Sequence, residues 1–293
     1  MRFSERLGFK PVRSVLQIDS MDDALRNGLW NVVYEEILIK INGNLYEQPS
    51  LHKFFINLWR DFLKLPIDTV PGTKTMAIME LKELFFGYSH SVLDIEKEGL
   101  MWYEIYDLIE FIAQNYPFGS NKRFKDSVNK ILKRELSAYR FVDDYLVRIT
   151  DDEEIQAIEE VLKSPLKIDY AKQHIQQALA LLADKQAPDY RNSIKESISA
   201  VEAIGKIISN QPSSTLGAVL KQLEKKTNIE LHPTLKQAFE KLYGYTSDAN
   251  GIRHALKDDS NIDYEEAKYM LVACSAFVNY LAEKAIKTGI DLQ

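Results

Sequence analysis

Apolar residues recur at helical spacing along most of this chain, and polar or turn-forming residues punctuate them. Leu25, Leu29, Val32, Val33 and Ile37 form one face of a helix, which Ser20 and Asp23 open as a capping box and Asn42-Gly43-Asn44 closes. A broad stripe follows in residues 51–63, made of Phe54, Phe55, Leu58, Trp59, Phe62 and Leu63 before Pro66. Such a stripe at helical spacing reads as buried core. Further helices are predicted over 75–86, stopped by Gly87, and over 100–115, stopped ahead of Pro117. The first residues, 1–19, show no helical period and read as an extended arm.

Over 138–150 the period changes. Tyr139, Phe141, Val142, Tyr145, Val147 and Ile149 surround Asp143-Asp144, the pattern of a short β-hairpin and the only β element expected. Thr150 with Glu153 then opens a helix through Ile155, Ile158, Val161 and Leu162. Ser164-Pro165 ends it and marks the expected domain boundary, giving domains 1–163 and 164–293. Beyond it everything is helical: 168–183, 189–209, a short helix over 214–226, one from Pro233, and a last helix over 263–287. The last carries Ala267, Leu271, Cys274, Val278, Leu281 and Ala285 as a continuous packing seam. The fold class is therefore mostly α, with a small β-hairpin in the N-terminal domain and a helical bundle at the C-terminal end.

Composition narrows the class. With 293 residues, 45% of them hydrophobic, the chain can bury a core in each of two domains. Its net charge of -6 argues against a surface that is basic all over. The excess of acid lies wholly in the first part, because from Leu166 onward 16 Lys and Arg face 16 Asp and Glu. The C-terminal part is thus the less repulsive one toward a polyanion. Residues 120–136 hold the densest basic run, Lys122, Arg123, Lys125, Lys130, Lys133 and Arg134. A solvated helix face explains that run, and contact with a nucleic acid or acidic partner is the other reading.

A single cysteine, Cys274, excludes an intrachain disulfide and fits a reducing compartment. No signal peptide and no membrane span are expected, so the location read from the sequence is cytoplasmic. His52, His90, His174 and His232 share no metal-ligand spacing, so no metal site is expected. Phosphate-cradling glycine loops and a Gly-x-Ser-x-Gly elbow are absent from the sequence, and no cofactor is expected.

Chemistry-bearing residues concentrate in one stretch, 243–256. Asp248, Arg253 and His254 lie there beside Asn250-Gly251, between two predicted helices. Asp248 reads first as a turn former and second as an orienter of the imidazole. His254 is either a helix-start imidazole bonded to a carbonyl or to Asp248, or a proton-transfer group. Arg253 is either an ion-pair partner of Glu202 or Glu196, or a clamp for phosphate. Arg191 and Asn192 stand near a helix start, where they cap and pack or face the same cleft.

Several segments carry a family resemblance. Phe3-Ser4-Glu5-Arg6 with Gly8, Met21-Asp22-Asp23 with Leu25-Arg26-Asn27 and Leu29-Trp30-Asn31-Val32, and Tyr139-Arg140-Phe141-Val142-Asp143 are three of them. A fourth is Ile149-Thr150-Asp151 with Glu153-Glu154-Ile155 and Ala157-Ile158. Together they closely resemble the N-terminal domain of AbiJ-type abortive-infection proteins of bacteria. Tyr190-Arg191-Asn192-Ser193-Ile194, Glu196-Ser197-Ile198, Ala200-Val201-Glu202 and Gly251-Ile252-Arg253-His254-Ala255 are similar to a HEPN helical domain.

The resemblance implies an antiphage effector whose HEPN half is a metal-independent endoribonuclease working as a homodimer on RNA. It also implies an N-terminal domain that answers a phage-derived trigger. Arg253 and His254 would be the catalytic pair, with Asp248, Glu202, Arg191 and Asn192 as auxiliaries. The family motif separates its arginine from its histidine by several residues, whereas here the two are adjacent. The alternative is a non-catalytic module of the same fold that binds RNA, a nucleotide or a partner protein.

Overall fold

A computed structural model describes residues 3, 7, 16–90, 95–184, 189–210, 232–247 and 262–292. The described helices are α1 (Asp23–Glu36), α2 (Pro49–Asn57), α3 (Lys74–Phe86), α4 (Trp102–Gln114), α5 (Lys122–Arg134) and α6 (Asp152–Leu162), then α7 (Asp169–Ala183), α8 (Tyr190–Ser209), α9 (Pro233–Ser247) and α10 (Tyr264–Lys287). Two small antiparallel pairs accompany them, β1 (Tyr88–His90) with β2 (Ile95–Lys97) and β3 (Arg140–Val142) with β4 (Tyr145–Val147). The chain is mostly α, as its periodicity predicts. It divides into compact units at 1–148 and 149–293.

That division precedes the break read at Ser164-Pro165, because α6 packs against α10 and α7. Lys268 of α10 meets Glu154 of α6 at 2.9 Å, and Asn279 donates to the Ala157 carbonyl at 2.9 Å. Proline stops a helix, but only packing decides with which neighbours that helix buries its apolar face.

In the first unit the core is built from large side chains, and Phe55, Trp59, Phe85, Tyr106, Phe124 and Phe141 are all buried. The aromatic stripe of 51–63 supplies Phe54, Phe55, Leu58 and Trp59 to it. That stripe is two elements, since α2 gives way to a wider π turn, Leu58–Phe62, closed by Leu63 N to Leu58 O at 2.9 Å. The first helix is capped by Asp22, which accepts from Leu25 N at 2.9 Å, and Ser20 stands outside it. Likewise Asp151, not Thr150, caps α6. Carboxylates satisfy the free amides of a helix start and favour its positive end.

Helix α1 lies on α5 at Gly28, where an added Cβ would stand 2.5 Å from the Ile131 Cγ2 atom. The expected hairpin forms with Val142 opposite Tyr145, and Asp143 takes φ 51° in the turn. Asn129 of α5 extends it as a surrogate strand, accepting from Phe141 N at 2.8 Å and donating to Phe141 O at 3.1 Å. The β1–β2 pair was not expected; its strands of 3 residues each are too short to show a period. Of the expected arm, Gln17 pairs with Ser137 in a parallel bridge.

The first unit uses its buried polar groups internally. Glu36 is buried and accepts from Lys40 at 3.1 Å and Arg123 at 2.9 Å. Arg26 donates to the carbonyls of Phe85 at 2.6 Å and Leu100 at 2.9 Å, tying the end of α3 to the start of the next segment. The Tyr106 hydroxyl meets Ser137 Oγ at 2.8 Å, and burial pushes the phenol up to about 12.

The second unit is a bundle of longer helices with smaller contacts. Ala171, Ile175, Ala178 and Leu179 of α7 face Ile194, Ile198 and Val201 of α8 as buried stripes. Helix α10 buries Ala267, Leu271, Cys274, Val278, Leu281 and Ala285, the seam anticipated from its spacing. Its start is a capping box of Asp263 and Glu266. Burial pushes the Cys274 thiol up to about 12, so it is an inert packing group. The expected helix over 214–226 lies outside the described residues.

Candidate functional site

Helix α8 has two faces. Ile194, Ile198, Val201, Ile204 and Ile208 are buried, while Ser199, Glu202, Ala203, Lys206, Ile207 and Asn210 share the neighbouring stripe. Residues three, four and seven apart fall on one side of a helix, so the second set forms a continuous wall. Tyr170 and His174, one turn apart on α7, line the same groove, whose volume is about 780 Å³. Tyr170 is 69% exposed, an open aromatic face on a groove that also carries the Glu202 carboxylate and the Lys206 ammonium group.

The register of α7 against α8 sets the chemistry at one end of this groove. Ser193 Oγ is buried and donates to the Ala178 carbonyl at 2.8 Å, which fixes how the two antiparallel helices align. One turn back from Ala178 on α7 is His174, and about one turn on from Ser193 is Glu196. They meet at 2.6 Å between Nδ1 and Oε2, with 36% and 23% of their side chains exposed. A carboxylate only accepts, so the ring nitrogen facing Glu196 carries a proton, and in the neutral ring the lone pair then lies on Nε2. An imidazole held in that tautomer is suited to take a proton from a bound group.

Of the residues singled out from the sequence, Glu202 lines the groove. Asn192 belongs to the start of α8, where Asp189 accepts from its backbone amide at 2.9 Å and also from its side-chain amide. Arg191 lies beside it in the same first turn, and neither lines the groove. Along a helix, ten residues rise about 15 Å, so this cap is well separated from Glu202. Asp248, Arg253 and His254 lie outside the described residues. Glu196, read as a possible partner for Arg253, is held by His174.

From the sequence His174 stands out only as a histidine without metal-ligand spacing, and its pairing with Glu196 is not apparent there. A usable signal was there: His174 sits at the edge of the apolar stripe of a helix that must pair antiparallel with the next. Antiparallel pairing of the two helices brings position 174 opposite 196.

Among the described residues no three His, Cys, Asp or Glu converge as a metal site would require. No helix among them is long and apolar enough to cross a membrane. No curated protein and no solved structure matches the chain. A family model, AbiJ N-terminal domain 4, matches residues 1–164, the first unit together with α6. The match does not extend to the later helices. With more than half of its length matched, and the capped first helix and the hairpin at Asp143 both inside the match, the chain belongs to the AbiJ N-terminal domain 4 family.

Proposed function

We propose that this protein is an antiphage effector of abortive infection whose helical second unit cleaves RNA as a homodimer, without a metal ion. The observation that carries the reading is the α7/α8 groove, where Glu202, Lys206 and a carboxylate-held imidazole line one wall system in the unit that follows the AbiJ domain. Metal-free cleavage of RNA needs a base for the ribose 2′-hydroxyl, an acid for the departing 5′-oxygen, and positive charge on the phosphorane between them. Imidazole suits the proton transfers near neutral pH, and guanidinium suits the phosphorane oxygens. By resemblance Arg253 and His254 fill these roles, with two copies supplied across a two-fold axis. Asp248, Glu202, Arg191 and Asn192 are their supports, the domains 1–163 and 164–293 divide sensing from cleavage, and a phage-derived trigger acts on the first in the cytoplasm.

The test is incubation of the purified full chain with total or transfer RNA in EDTA. Wild type yields cleavage products; Arg253→Ala and His254→Ala do not. Cleavage that survives in both variants removes the assigned pair, and an inactive wild type removes the enzyme.

The adjacency of Arg253 and His254 favours a second reading, a non-catalytic module that binds RNA, a nucleotide or a partner protein. It gives RNA retention without products, and overexpression toxicity unchanged by His254→Ala.

A further inference from the structure

Cleavage by this route needs two proton transfers in each turnover, whereas the resemblance assigns one histidine per chain to them. The α7/α8 groove holds another. His174 has its Nδ1 engaged by Glu196 at 2.6 Å, and its side chain is 36% exposed on the groove wall. Ion pairing between α7 and α8 explains the couple poorly. The helices are already joined by their buried stripes and by Ser193 to the Ala178 carbonyl. A pair that stays partly exposed to solvent adds little to such a junction. The couple does, however, do what a proton-transfer group needs: it fixes one tautomer, aims the ring, and places a negative charge beside the imidazolium that forms.

We infer that His174 is a further catalytic residue of the RNA-cleaving unit, the base for the ribose 2′-hydroxyl, and that Glu196 is its positioning residue. The inference rests on the RNA-cleaving function proposed above. In the step, Nε2 of His174 takes the hydroxyl proton and the 2′-oxygen bonds to the adjacent phosphorus. The bond from phosphorus to the 5′-oxygen breaks, and that oxygen takes its proton from the general acid of the function proposed above, which is reprotonated from solvent. The products are a 2′,3′-cyclic phosphate and a 5′-hydroxyl end, and His174 returns its proton to solvent. No electrons are gained or lost. The other titratable groups on the groove are Tyr170 from α7 and Glu202 and Lys206 from α8. Tyr170 offers a ring face for a base to stack on, and Lys206 a cation for a phosphate further along.

The experiment measures RNA cleavage in EDTA between about pH 5 and 8, the range in which an imidazole changes charge, for the full chain and its His174→Gln, His174→Ala and Glu196→Gln variants. Loss of a general base lowers kcat by about 100-fold or more. The expected result is such a loss in His174→Gln with KM little changed, together with loss of the acid limb of the pH profile. Added imidazole restores part of the rate to His174→Ala, which a structural role would not allow. Glu196→Gln shows a smaller loss, again in kcat. Wild-type rate and profile in His174→Gln, or a loss in His174→Ala that imidazole leaves untouched, overturns the inference while the RNA-cleaving function stands. A wild type that cleaves no RNA overturns both.

Discussion

The two units spend their polar side chains differently. In the first, Glu36, Arg26, Asn129 and Tyr106 all reach inward, each to named protein partners. The second keeps its buried helix faces almost free of charge and sets Tyr170, His174, Glu202 and Lys206 along a groove, with Glu196 paired to His174. Polar groups consumed by the interior hold a fold together, because burying them unpaired costs far more than pairing them gains. Polar groups on an open groove contribute little stability. The comparison separates a scaffold from a site on physical grounds, before any assignment of activity.

The sharpest way to break it is to truncate the aromatic core. Phe124→Ala removes a fully buried ring and should cost about 3–5 kcal/mol, read as an early unfolding transition in denaturant melts, with the second unit's transition unmoved. Alkali should act on the same unit. The Tyr106 phenol is held protonated up to about 12, against an ordinary value of 10.0. Its stabilising contribution is therefore complete below pH 10.0 and declines as pH rises toward 12. Roughly 2–3 kcal/mol is lost over that window, and the loss should be absent in Tyr106→Phe.

In the second unit the tight seam is the weak point. Ala178→Leu forces extra volume between α7 and α8 and should cost about 1–3 kcal/mol, with the transition of the first unit unchanged. Asp189→Ala removes the cap of α8 and should cost about 1 kcal/mol. RNA cleavage unaffected by it would leave Asn192 a partner of that cap and not a support of the catalytic pair. Smallest of all, Tyr170→Ala and Lys206→Ala should shift stability by less than about 0.5 kcal/mol. A large destabilisation by either would erase the contrast between scaffold and groove.

Much of the architecture was legible in the sequence for a local reason. A helix face is written in residues three and four apart, so the stripes of α1, α8 and α10 were readable directly, and Asp143-Asp144 between alternating apolar residues announced the hairpin. Cap positions slipped by a residue or two where several capping residues stood together, as at Ser20 and Asp22 or Thr150 and Asp151. Strands of three residues at β1 and β2 left too little pattern to see, and a π turn inside 51–63 has the same apolar spacing as the helix around it. Of the candidate site, the sequence pointed to Glu202 but not to the couple beside it.

What the sequence determined alone is the succession of helices, their apolar faces, and the family signature of the first 164 residues. Tertiary structure decided three other things: that α6 packs with the second unit, that α1 approaches α5 at Gly28, and that His174 meets Glu196. The reason is the same in each case. Periodicity is a property of one helix, whereas a meeting of side chains 22 positions apart depends on the register of two, and here Ser193 against the Ala178 carbonyl sets that register.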